Sequence, residues 1–392
     1  MKFEWQDLTL GDIVETVIDY RGKTPKKLGG DWSDTGYRAF SAKNIKTGQI
    51  VQCESIRFVD EAMYHKWMKE EIQRGDILIT SEAPFGQIFY WDSDEKIVLS
   101  QRLFGVRIKK QYDSRFVYYY MTTNEFQSEM DHRATGTTVV GLRQPELMKC
   151  ALRCPDYETQ RKISAILTAI DNKIAVNEAI NHNLQQQAEA LYKKTFPYSV
   201  RDELPDNWHI GTVRDIIDLH DSKRIPLSSR ERDKMTMKIY PYYGATSVMD
   251  HVEAYIFDGC YLLLGEDGTV IDDYGHPILQ YVWGKFWVNN HAHIISGKNG
   301  FMVESLYLFF KQLNVRSIVT GAVQPKISQA NLCSVPVVIP PEEVIRAFNE
   351  QIMPFFTMIR TNTDENARLS SLRDSLLPRI MAGEIDVSDI DI

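Results

Sequence analysis

The 392-residue sequence is short of cysteine, with only five. Those five (Cys53, Cys150, Cys154, Cys260, Cys333) are scattered and odd in number. That excludes a disulfide framework and leads us to expect a reducing cytoplasm. Cys150 and Cys154 have a metal-like separation, but no His or Cys cluster follows to complete a zinc site. No apolar run approaches the roughly 18 residues that a membrane span needs. The opening MKFEWQDLTLGDI lacks the order of a signal peptide, a basic segment, then apolar, then small residues. Catalytic and cofactor motifs are missing as well. There is no GxxxxGK[ST], no GxGxxG after a strand, no Asn-Pro-Pro-aromatic or Asp-Pro-Pro-aromatic tetrapeptide, no HExxH and no GxSxG. His291 and His293 would need a third metal ligand that the sequence does not place. Glu266, Asp267, Asp272 and Asp273 read as a solvated loop rather than a magnesium site. The expectation is a chain with no catalytic residue, no metal and no cofactor.

A basic excess is also lacking. With 45 Lys and Arg against 53 Asp and Glu, the formal net charge is −8. Spread evenly, that balance would argue against a nucleic-acid partner. It is not spread evenly. Arg21, Lys23, Lys26 and Lys27 cluster early, as do Lys43 and Lys46. Lys223, Arg224, Arg230, Arg232, Lys234 and Lys238 cluster early in the second half.

What the sequence does have is an internal repeat. With a fixed offset of 185 residues, Ile163 falls on Phe348, Leu167 on Ile352, Ile170 on Phe355, Ile174 on Ile359, Leu184 on Leu369 and Leu191 on Leu376. The same register carries Thr135-Gly136 onto Thr320-Gly321, Leu147 onto Leu332 and Pro155 onto Pro340. A period of about half the chain means two copies of one unit. Each repeated stretch reads as one long helix. Proline opens it, acidic residues occupy its first turn, and an apolar seam recurs by threes, fours and sevens. The first helix has roughly 37 residues and a length of about 55 Å. Pro354 lies inside the second helix and should kink it. Two seams that match most naturally pack on each other as an antiparallel pair. Asn177 and its counterpart Asn362 sit at seam positions, where a polar residue fixes register; the repeat predicts that they face each other.

Each domain before its helix reads as α+β. Trp5 to Val17 and the stretch from Trp208 open the two halves alike. Gly75–Thr80 and Gly259–Leu264 are matching turn-then-strand signals. Val98–Ile108 and Phe286–Ile295 read as further strands, and Tyr118–Met130 and Val303–Leu313 as short helices. The expected order is a first domain at 1–155, a long helix at 156–197, a second domain at 198–340, a long helix at 341–380 and a tail at 381–392. The fold class is α+β: two pseudo-repeated α/β domains separated by two long helices packed as an antiparallel coiled coil. The loops of the two domains share little, which suggests related sites with different ligands.

These features resemble the specificity subunit of type I restriction–modification enzymes over nearly the whole length. The resemblance is carried by Pro155-x-x-Glu158-x-Gln160-Arg161-Lys162-Ile163, by Ile170-Asp171-x-Lys173-Ile174 and by Leu204-Pro205-x-x-Trp208. It is also carried by Leu376-Leu377-Pro378-Arg379-Ile380-Met381-Ala382-Gly383-Glu384-Ile385 and by the two Thr-Gly loops. Ile345 departs from it, standing where the first copy has Gln160. The resemblance implies two target-recognition domains, each reading half of a split sequence in double-stranded DNA. It implies helices that act as a ruler and dock two methyltransferase subunits, and a complex that includes a translocating restriction subunit. By the pairing rules of side chains with base edges and phosphates, the candidate DNA contacts are Arg21, Lys23, Lys43, Asn44 and Arg102 in the first domain. In the second they are Lys223, Arg224, Tyr242, Tyr243 and Lys326. Gln185, Gln186, Lys193, Tyr192 and Phe196 are candidates for the docking face.

Overall fold

The computed structural model describes residues 4–136, 139–321, 323–387 and 390. Ala322 of the second Thr-Gly loop and part of the tail therefore lie outside the described residues. The chain divides into two compact units, Met1–Ile174 with Ala367–Ile392, and Ala175–Asn366. Each unit holds one sheet-rich domain and part of both long helices.

The first unit contains strands β1 (Gln6–Thr9), β2 (Val14–Asp19), β3 (Tyr37–Phe40), β4 (Ile45–Lys46), β5 (Gln49–Ile50) and β6 (Arg57–Val59). They are followed by β7 (Ile77–Thr80), β8 (Ile88–Tyr90), β9 (Val98–Leu99), β10 (Leu103–Ile108) and β11 (Ala151–Cys154). An antiparallel sheet has the order β2-β10-β7-β8, and a second sheet β6-β3-β9 pairs β3 with β9 in parallel. β1 pairs with β11 and β4 with β5. All four residues of β7 are buried, as a strand covered on both faces requires. One apolar cluster lies between the first sheet, the helix Ser114–Met121 and the long-helix residues Ile163, Leu167 and Ile380. Another, around Phe40, Trp67, Trp91 and Leu99, fills the space beside the second sheet.

The second unit repeats this plan with β12 (His209–Thr212), β13 (Ile217–Leu219), β14 (Tyr240–Tyr243), β15 (Val248–Val252) and β16 (Phe257–Asp258). The remaining strands are β17 (Tyr261–Gly265), β18 (Leu279–Val282), β19 (Lys285–Val288), β20 (Ala292–Gly297) and β21 (Pro336–Ile339). The sheets are β13-β20-β17-β18 and β15-β14-β19-β16, with β14 and β19 parallel, and β12 pairs with β21. In both units the expected long strand is two strands in two different sheets. A turn at Ser100–Arg102 separates β9 from β10, and one at Asn289–His291 separates β19 from β20. Val98 and Leu99 share one apolar cluster with Leu103, and Val288 shares another with Ala292, so the run looks continuous in sequence.

The first long helix spans Tyr157–Thr195 (39 residues) and the second Glu342–Met381 (40 residues). Asp156 accepts the Thr159 amide at 3.0 Å and starts the first. Gln160 is buried, donates to the Pro155 carbonyl at 2.8 Å and accepts the Asp113 amide at 2.9 Å. Its replacement Ile345 is equally buried and packs in the apolar cluster of the second unit. A polar tie at the start of one helix is thus an apolar contact in the other. The second helix runs unbroken past Pro354, although that residue cannot donate to the carbonyl one turn back.

Within the second unit the two helices run antiparallel, Asn177 meeting Asn366 and Tyr192 meeting Phe348. The expected Asn177–Asn362 contact does not occur. Asn177 donates to Asn366 at 2.8 Å and to Glu365 at 2.7 Å, while Asn362 donates to Asn181 at 2.9 Å. The offset of 185 also carries Asn181 onto Asn366, so the repeat exchanges one pair for the other. Its centre falls midway between Asn177 and Asn181, and each asparagine therefore meets its neighbour's counterpart.

Tyr192 and Phe196 are not an exposed docking face. Both are half-buried, with rings against Phe348 at 5.7 and 4.9 Å. Gln185 is within hydrogen-bond reach of the Tyr307 hydroxyl at 3.3 Å.

Candidate nucleic-acid interface

Parallel pairing brings the ends of β3 and β9 to one edge. Past that edge the Ser100 amide donates to the Phe40 carbonyl at 2.7 Å and the Ala42 amide to the Gln101 carbonyl at 3.1 Å. The Ser81 amide, just beyond β7, donates to the Arg102 carbonyl at 2.9 Å, and the Leu142 amide to the Ser81 carbonyl at 2.9 Å. Thr135 and Gly141 exchange two bonds of 2.9 Å and close the first Thr-Gly loop. Four loops are thus stitched side by side, after β3, after β7, between β9 and β10, and at Thr135–Gly141.

The second unit is stitched at all of these stations except that of Ala42 and Gln101. The Asn289 amide donates to the Tyr243 carbonyl at 3.0 Å, the Glu266 amide to the His291 carbonyl at 2.8 Å and the Ile327 amide to the Glu266 carbonyl at 2.8 Å. Thr320 and Lys326 exchange bonds of 2.9 and 2.7 Å. Glu82 bridges to Gly141 as Asp267 bridges to Lys326. Both pairs of acid and base recur at one address. Arg102 reaches Glu82 at 3.2 Å, and His291 bonds Asp267. Arg102 holds a left-handed φ of 63°, a conformation that non-glycine residues adopt where the surroundings impose it.

This edge gathers several of the candidate residues, but with different freedom. Lys43 and Lys223 are exposed, and no partner for either side chain is found among the described residues. Arg102 and Lys326 have side chains 48% exposed, each beside a carboxylate, Glu82 at 3.2 Å and Glu266 at 3.1 Å. Arg21 is clamped on Asp19 by bonds of 2.9 and 2.8 Å and lies over the Phe104 ring. Lys23 donates to the Trp67 carbonyl at 3.1 Å.

Three assignments need correction. Asn44 is buried, accepts from Ser41 and donates to Gln52 and Ser55, so its amide is spent on the loop. Tyr242 is buried and its hydroxyl accepts the Leu227 amide at 3.0 Å. Tyr243 is half-buried, edge-on to Phe286. Paired tyrosines in a strand face opposite sides of a sheet, and here neither stands free.

Arg224 is the other surprise. It donates to Glu266 at 2.5 Å and to the Ala292 carbonyl at 2.9 Å, within a network that includes Asp221 and His293. His293 bonds Asp221 at 2.6 Å and the Ile327 carbonyl at 2.8 Å. Burial opposes ionisation of Asp221, but the His293, Ile294 and Gln329 bonds outweigh it and hold the carboxyl below its usual range. Burial likewise opposes ionisation of Glu266, and Arg224, His293 and Lys326 reverse it. Donor atoms of Asp221, Glu266 and His293 come within 4.8 Å of one another, supplying acids beside His293 that the spacing did not reveal. Cationic side chains and amides already occupy those atoms, so the group acts as an ion-pair network joining three loops. His291 belongs to a separate pair with Asp267.

Sequence reasoning missed the exposed turn residues Gln101 and Asn290, because both were read as strand interior. No helix among the described residues is long and apolar enough to cross a membrane.

The profile of the type I restriction modification DNA specificity domain matches residues 3–186 and 205–371, one copy in each half. A type I restriction enzyme specificity subunit, MjaIX, of Methanocaldococcus jannaschii is 23% identical over 347 residues, 81% of this chain and 79% of that one. A Haemophilus influenzae relative named for the same subunit is 36% identical over 105 residues, 26% of this chain and 26% of that one. The crystal structure of a type I restriction–modification S subunit from M. genitalium superposes with a TM-score of 0.62 at 16% identity, covering 96% of this chain and 95% of that one.

Proposed function

Since the chain belongs to the type I restriction–modification DNA specificity family, we propose that it reads a bipartite target in double-stranded DNA, one half through the loop edge of each unit. The observation that carries this reading is the duplicated edge itself. All its backbone bonds but the one from Ala42 to Gln101 recur at matching positions, while the side chains it presents differ. One scaffold with two sets of side chains suits two different half-sites. Lys43, Arg102, Lys223 and Lys326 are the cations we assign to phosphates or guanine edges. Asn177, Asn181, Asn362 and Asn366 we assign to helix register.

Subunits of this family work in a complex with methyltransferase and restriction subunits. We assign the two long helices as spacer and as dock for two methyltransferase subunits. A helix of 39 residues is about 58 Å long. That is ample for half-sites one duplex turn apart, roughly 34–36 Å. Partner subunits would supply the chemistry and much of the phosphate contact, which accommodates a net charge of −8.

The test is to co-express the chain with its methyltransferase subunit and map methylated adenines genome-wide. The expected motif is two short blocks separated by a fixed run of unspecified bases, with residues 1–155 governing one block only when swapped. A continuous motif would remove the spacer role. No motif from an assembled, cofactor-loaded complex would remove DNA reading altogether.

A further inference from the structure

Gln101 and Asn290 occupy the same position in the two units. Each follows a buried polar residue, Ser100 or Asn289, and precedes the base of an acid–base pair, Arg102 or His291. Each turn is tied on both sides. The Gln101 carbonyl accepts from Ala42 and the Arg102 carbonyl from Ser81. The Asn290 carbonyl accepts from Arg224 and the His291 carbonyl from Glu266. The backbone is therefore held, and the neighbouring Arg102, Asn289 and His291 side chains each contact a group of their own domain. The carboxamides of Gln101 and Asn290 are exposed and have no hydrogen-bond partner among the described residues.

Position and chemistry coincide. A carboxamide offers an acceptor and a donor side by side. The major-groove edge of adenine offers the complement, an N6 donor beside the N7 acceptor, and Asn or Gln binds it with two bonds. Guanine calls for Arg or Lys, and cytosine for an acid. The domains have diverged in their loops, yet this address carries the same functional group in both, on a side chain one methylene longer in the first.

Resting on the two-domain reading above, we infer that Gln101 and Asn290 are specificity-determining residues, each reading one adenine in its own half-site.

The experiment uses the assembled complex with methyltransferase subunits, carrying wild-type chain, Gln101→Ala or Asn290→Ala. Affinity is measured on duplexes that vary one position at a time, alongside the methylation motif. Each substitution is expected to reduce the preference for adenine about tenfold at one position of one block, a different block for each substitution. The other block and the gap should not change. Gln101→Glu keeps the size of the side chain and accepts from the cytosine N4 donor. It should move the preference at that position from adenine toward cytosine. A uniform loss across all duplexes would reveal a backbone contact and overturn the inference. So would a motif unchanged by either substitution. A wild-type complex without a two-block motif would instead overturn the reading on which the inference rests, and the inference with it.

Discussion

Residue type alone does not decide what an asparagine or an arginine does at this edge. Asn44 has the right chemistry to read adenine, but Ser41, Gln52 and Ser55 take up its amide. Asn44→Ala should therefore lower stability by about 1–3 kcal/mol, as loss of a buried, satisfied polar group does, and leave the methylation motif unchanged. Denaturant midpoints and motif mapping check the two halves of that expectation. Asp250 illustrates a charge put to structural use. Lys238, the His251 amide and Arg232 hold its carboxyl at about 2. Its folded-state pKa lies below an unfolded value of about 3.9. The stabilisation is thus complete above about pH 4 and disappears as pH falls through about 2. Melting temperatures of wild type and Asp250→Asn should differ at neutral pH and converge on acidification toward pH 2.

Elements were more legible than their partners. The long helices follow from a seam that any window of a few turns displays. Their attachment to the domains does not. In the second unit Glu304, buried on the helix Val303–Phe310, accepts from Arg360 of the second long helix at 2.7 Å and from Tyr281 of β18 at 2.7 Å. Arg360→Leu leaves that carboxylate without its cation and should destabilise by about 3 kcal/mol or more. Adding Glu304→Leu should recover much of the loss, since two apolar groups replace the pair. Equilibrium unfolding of both variants measures the difference. The strands beside the interface were misread for a related reason. Val98, Leu99, Leu103 and Phe104 are all buried, but in two sheets, and burial alone does not reveal a change of sheet.

For the whole molecule, the duplication makes a test of length possible. A seven-residue insertion at matched points in both long helices preserves their antiparallel pairing and adds about 10.5 Å to each. If the helices set the spacing, the unspecified gap should grow by about three base pairs at 3.4 Å each, and both blocks should stay as they were. Methylome mapping of the insertion variant checks this. An unchanged gap would place the ruler elsewhere in the complex.

The sequence by itself determined the two-copy plan, the two long helices and one inner strand in each unit, β7 and β17. All of these rest on periodicity and spacing within short windows, and an offset of 185 residues is visible without coordinates. Only the tertiary structure decided which polar groups are free. The turn at Ser100–Arg102 is set by bonds to Phe40, Ala42 and Ser81, and Arg224 is captured by Glu266 and the Ala292 carbonyl. Those partners lie tens of residues away, and a side chain's availability depends on whether they reach it first. Local pattern carries no information about that competition, so the residues left exposed, Gln101 and Asn290, emerged only once the chain was folded.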